Sequence, residues 1–177
     1  LMPQLGLGLM RFGSESETAA VLSRAVSAGY RLFDSAAVYG NEQLVGEGLR
    51  QCGVVRQGLF VTTKLWNTEH GRLKARAALT GSLDRLGLDQ IDLYLIHWPL
   101  PMEDLYVDTW RALIELQGEG LIGSLGVSNH TQEQLVRLIE ATGVVPAVNQ
   151  IEMHPRFQQH MLHEFHKQHG IVSQAWS

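Results

Sequence analysis

One pattern governs what this chain can fold into. Apolar, strand-like runs begin near Leu5, Leu32, Leu59, Ile91, Ile122, Ala147 and Ile171, and amphipathic segments fill the intervals between them. The recurrence, roughly every 24 to 32 residues, is the length of a βα unit. Glycines punctuate it: Gly29, Gly87, Gly120, Gly143 and Gly170 each follow a periodic segment, where a helix commonly ends on a residue of positive φ. Two helix starts carry capping-box spacing, Ser14 with Glu17 and Thr131 with Gln134. In the second of these helices Leu135, Leu138 and Ile139 form one stripe for a sheet. The run Ile91–His97 is apolar nearly throughout, as expected of a strand covered on both faces. The pattern predicts a parallel β/α barrel in one domain, residues 1–177, with no linker or low-complexity tract. Seven strands are countable and a closed barrel has eight in about 250 residues. The expectation is therefore the N-terminal part of a longer barrel, with strands 1 and 7 left as open edges and an isolated chain that is unstable.

A parallel barrel gathers the carboxyl ends of its strands around one mouth. Asp34, Tyr39, Lys64 and His97 all fall at or just past such ends, which predicts an active site there. Reducing a carbonyl by hydride transfer builds negative charge on oxygen, and an acid must supply a proton as it forms. Tyr39 can be that acid. A free phenol ionises near pH ~10, so a neighbouring cation is needed; Lys64 would supply it, Asp34 would keep Lys64 charged and oriented, and His97 can then donate a hydrogen bond to the substrate oxygen. Each residue also has an ordinary reading: Asp34 as a helix cap, Tyr39 as a half-buried aromatic, Lys64 as a surface lysine, His97 as a packed ring beside Trp98 and Pro99. A lysine and a histidine closing apolar strands would be costly unless paired, which favours a polar cluster.

Composition excludes several classes. Of the 177 residues 45% are hydrophobic and 18% charged, and the 14 Lys and Arg against 18 Asp and Glu are scattered, so nothing resembles the basic stripe of a nucleic-acid binder. The single Cys52 forms no internal disulfide, and neither a signal-peptide core nor a membrane-length apolar run is present. A cytoplasmic location is expected, with no membrane, nucleic-acid or protein partner implied. The histidines at 154, 160, 163, 166 and 169 lie without cysteine or grouped carboxylates, and read as a solvated helix face rather than a metal site.

The stretch GYRLFDSAAVYGNEQLVG, Gly29–Gly46, resembles the aldo-keto reductase signature. The likeness continues in order through VTTKLW, LYLIHWP, GVSN, VNQIEMHP and QAWS, covering essentially the whole chain. That resemblance implies a (β/α)8 TIM barrel reducing aldehydes or ketones to alcohols with NADPH. It also implies the acid, cation, orienting and hydrogen-bonding roles already given to Tyr39, Lys64, Asp34 and His97. Ser128, Asn129 and Gln150 would hold the nicotinamide carboxamide, Trp176 would stack on the ring, and Ser177 would approach the pyrophosphate. Val38, Trp66 and Trp98 match pocket-lining positions. The GLGLM at Gly6–Met10 lacks GxGxxG spacing, which argues against a Rossmann site. Met10 and His130 stand where the family commonly has aromatics. The QAWS ending is similar to the bacterial diketogluconate-reductase branch. NADPH is carried from the family and NADH stays open. So do a nucleotide-binding barrel without turnover and an inactive fragment.

Overall fold

A computed structural model describes residues 1–176 of the chain. Seven strands, β1 (Gly6–Gly8), β2 (Leu32–Asp34), β3 (Phe60–Leu65), β4 (Ile91–Ile96), β5 (Ile122–Ser128), β6 (Val148–Glu152) and β7 (Val172–Trp176), form one sheet in sequence order. All six strand pairs are parallel. Helices α1 (Glu15–Ser27), α2 (Glu42–Gln51), α3 (Arg72–Leu86), α4 (Tyr106–Gly118), α5 (Gln132–Thr142) and α6 (His160–His169) fill the crossovers. Among the described residues β1 pairs only with β2 and β7 only with β6, so both edges are open as expected.

The helix ends follow local chemistry. Gly87, Gly143 and Gly170 are left-handed caps at φ 65°, 69° and 70°, and Gly29 and Gly120 also have positive φ one residue beyond their caps. Thr131 and Gln134 complete a reciprocal capping box. Ser14 makes only half of one, accepting from the Glu17 N–H at 3.4 Å. Leu135 and Leu138 are fully covered whereas Ile139, at the rim of the stripe, is only half-buried.

Alternation along the strands separates two apolar compartments. On β4, Tyr94 and Ile96 face the helices and join the large core shared with Leu22, Leu79, Trp110 and Leu113. Leu93 and Leu95 face the other way, into a small inner cluster with Val148, Met2 and Phe60. Both faces of β4 are thus covered, which explains its uninterrupted apolar run. The same parity on β3 turns Phe60 and Lys64 inward and Thr63 toward the helices, and on β6 sends Val148 and Gln150 inward and Asn149 outward. No helix among the described residues is long and apolar enough to cross a membrane.

Candidate active site

The inward positions at the carboxyl ends of the strands carry the polar residues. Lys64, 1% exposed, is the last residue but one of β3 and pairs with Asp34 at the end of β2. Its Nζ also donates to the Ser35 carbonyl at 2.8 Å. An ammonium has three donors, so one remains for a group in the mouth. Tyr39 sits in a single 3-10 turn, Ala37–Tyr39, closed by Gly40 at φ 67°. Lys64 Nζ stands over its ring, 5.4 Å from the centroid. The expected pairing of ammonium with phenol is therefore a contact with the ring face, and among the described residues the Tyr39 hydroxyl makes no hydrogen bond.

His97 follows β4 directly and its ring meets Tyr39 edge-on, with centroids 6.0 Å apart. Trp66, just past β3, also packs edge-on against the imidazole, at 5.0 Å. Tyr39 and Trp66 are thus two of the groups that hold His97. Burial, assisted by the Lys64 charge, pushes the His97 pKa down to about 4. At neutral pH the ring is uncharged and has one N–H to give; Nδ1 is buried without a partner, which leaves Nε2 for a ligand. Val38 and Trp98, expected to line a pocket, are 43% and 40% exposed.

Next to this cluster, Ser128 closes β5 and its hydroxyl donates to the Gln150 carbonyl at 2.7 Å. The Gln150 side-chain amide donates to the second oxygen of Asp34, joining β6 to the Asp34–Lys64 pair. Asn129, at φ 61°, donates from Nδ2 to the His97 carbonyl at 3.0 Å and to Ser128 Oγ at 3.1 Å. Its Oδ1 accepts from the Trp176 indole N–H at 3.0 Å. Asn tolerates this left-handed backbone because its short polar side chain finds local partners. Ser128, Asn129, Gln150 and Trp176, the residues expected at the nicotinamide end, are therefore one connected unit, and the Ser128 and Asn129 oxygens each keep an unused lone pair. Ser177 lies outside the described residues.

Several buried residues that the sequence did not assign to the site support this unit. His130, 1% exposed, shares a hydrogen bond between Nδ1 and the Ser128 carbonyl at 2.8 Å and packs edge-on to Tyr106. Asn149 bonds both backbone groups of His130 and reaches His166 Nε2 at 3.0 Å, while His166 Nδ1 meets Ser173 Oγ at 2.8 Å. His166 is thus a correction to the solvated-face reading: it is 1% exposed and ties α6 to β6 and β7. The signal was its position four residues before the Gly170 cap, on the side where Leu162 also packs. No group of three or more metal-binding side chains occurs among the described residues.

Residues 4–177 match the sequence profile of the Aldo/keto reductase family. The chain belongs to that family. It is 50% identical over all 177 residues to the methylglyoxal reductase DkgA of Escherichia coli K12, of which it spans 63%. The structure of an aldo/keto reductase from Brucella melitensis superposes with a TM-score of 0.94 at 48% identity, covering 99% of this chain and 68% of the other. A Bombyx mori aldo-keto reductase solved in complex with NADP gives 0.91 at 39% identity, covering 99% and 62%. The chain therefore spans somewhat under two-thirds of the length of the curated relatives it matches. Of the two residues that stand where the resemblance leads one to expect aromatics, Met10 is 54% exposed and His130 is buried.

Proposed function

We propose that the full-length protein reduces small aldehydes or ketones to alcohols, taking hydride from NADPH, with Tyr39 as the proton donor. The observation that carries this is the buried Lys64–Asp34 pair under the face of Tyr39, beside an uncharged His97. NADPH supplies the hydride when bound, and Ser128, Asn129, Gln150 and Trp176 are the residues suited to hold its nicotinamide end. His97, neutral near pH 7, is the hydrogen-bond donor that orients the carbonyl oxygen and not the acid. Tyr39 gives the proton, and the free Lys64 N–H steadies the phenolate that remains. Asp34 is held from both sides by Lys64 and Gln150, which keeps the ammonium aimed at the mouth. Val38, Trp66 and Trp98 wall a small apolar entrance, suited to compact carbonyl compounds. Methylglyoxal, on which the similar bacterial reductases are named to act, is the first substrate to try.

The test is NADPH oxidation by the full-length protein with methylglyoxal and with a simple aldehyde, followed by absorbance. Turnover is expected, with Tyr39→Phe lowering kcat by roughly 10²–10⁴-fold and leaving nucleotide binding unchanged. Nucleotide binding without turnover in the unaltered protein would select a regulatory or structural role. Undiminished turnover by Tyr39→Phe would remove the tyrosine from its assigned step.

A further inference from the structure

The turn that carries Tyr39 has little to hold it in place. Val38 is exposed, Tyr39 half-buried, and Gly40 is in the left-handed region. The next two residues are the opposite. Asn41 is 3% exposed and Glu42 1%. Asn41 Nδ2 donates to the Leu9 carbonyl at 2.6 Å and to the Phe12 carbonyl at 3.3 Å, both just past β1. Its Oδ1 accepts from Ser35 Oγ at 3.1 Å, and the carbonyl of the same Ser35 receives Lys64 Nζ. Glu42 accepts from Thr63 Oγ1 at 2.6 Å, Ser82 Oγ at 3.3 Å and Arg85 Nε at 2.8 Å. Thr63 is the outward neighbour of inward-facing Lys64.

An acid in the first turn of a helix needs no burial to benefit from the helix dipole. Covering a carboxylate costs several kcal/mol, which its partners roughly offset without a large surplus, so the arrangement is better explained by the geometry it fixes than by stability. The geometry in question is specific. Ser35 follows Asp34, Thr63 precedes Lys64, and the Leu9 N–H donates to the Asp34 carbonyl, so three of the anchors adjoin the Asp34–Lys64 pair. Ser82 and Arg85, on α3, hold Glu42 from behind.

From this we infer that Asn41 and Glu42 are positioning residues: they fasten the start of α2 to the ends of β1, β2 and β3 so that the Tyr39 ring keeps its place against the Lys64 ammonium. The inference rests on the proposed reduction, because it assigns them an effect on the Tyr39 proton transfer. Neither touches the mouth, so both act through Tyr39. A displacement of about 1 Å at a reacting group is worth up to roughly 10²-fold in rate.

The experiment is a double-mutant cycle in the full-length protein with NADPH and methylglyoxal: Glu42→Gln, Tyr39→Phe and the two together, with Thr63→Val and Thr63→Ser alongside. Glu42→Gln is expected to lower kcat about tenfold, with KM for both substrates and the NADPH Kd within about twofold. In the Tyr39→Phe background the same change should alter kcat by less than about twofold, since the group it positions is gone. Thr63→Val should reproduce the fall in kcat, and Thr63→Ser should restore the unaltered value. An equal loss from Glu42→Gln in both backgrounds, or an unchanged kcat in Thr63→Val, overturns the inference while leaving the reduction standing. Should Glu42→Gln fail to fold, the Thr63 pair decides alone. Absence of turnover in the unaltered protein removes the reduction and this role with it.

Discussion

His130 offers a quantitative test of how burial acts on charge in this fold. The imidazole is sealed beneath the turn that carries Ser128 and Asn129, and its Nε2 has no partner. It faces Tyr106 from α4, Asn149 from β6 and the buried His70 from the segment between β3 and α3. Burial is the largest cause of its lowered pKa, the bond to the Ser128 carbonyl partly opposes it, and His70 adds to it, giving a value of about 4 against an ordinary 6.5. Between those values the unfolded chain binds the proton and the folded one does not. Stability therefore rises with pH through the window and is lost as pH falls from about 6.5 toward about 4, by about 3 kcal/mol for this residue. His130→Phe removes the titrating group. It also loses the bond to Ser128, worth about 1 kcal/mol, while abolishing the stranded Nε2, so near pH ~7.5 the two proteins should agree within about 1 kcal/mol. At about pH 4.5 the variant should be the more stable by about 2 kcal/mol, because His70, His97 and His166 titrate in both and cancel. Urea unfolding of the full-length protein and the variant at matched pH values measures this difference. A gap between the two that stays constant from about pH 7.5 to 4.5 would refute the reasoning.

Lys64→Met should abolish turnover and also cost stability, by about 3–5 kcal/mol in denaturant unfolding, because Asp34 is left buried without its cation. Asn149→Val leaves both backbone groups of His130 and the Nε2 of His166 without partners; a loss of about 2–4 kcal/mol is expected, together with a raised KM for NADPH in steady-state kinetics. Arg76→Ala breaks an exposed ion pair with Glu119 and should leave the urea midpoint of unfolding essentially unchanged, which makes it a useful control.

The architecture was legible because its signals are local. Apolar runs and glycine stops depend on the residues beside them, and every strand begins within about one residue of where the pattern put it, as at Leu32, Ile91 and Ile122. The inward cluster was legible for a related reason: Asp34, Lys64 and His97 interrupt or end apolar strands, where a polar group has to be paired. Glu42 and Asn149 were not. Glu42 looks like any acid at a helix start until Arg85 and Ser82, about 40 positions later, fold over it. Asn149 reads as a polar break in a strand until His130 and His166 arrive from two different connections. His166 was misread because its helix is polar overall and only the sheet beneath decides which side is covered. The contact of Lys64 with the ring face of Tyr39, rather than with its oxygen, depends on the path of a three-residue turn that no periodicity describes.

The inner cluster of Leu93, Leu95, Val148, Met2 and Phe60 has its own consequence for Lys64. It forms an apolar floor on the same face of the sheet, with Leu95 level with the lysine and Phe60 four residues beneath it. An ammonium resting on such a floor has hydrocarbon rather than water on that side to dissipate its field. Its attraction is therefore felt most strongly away from the floor, on the side of the strands' carboxyl ends, where a ligand bearing partial negative charge would be drawn in.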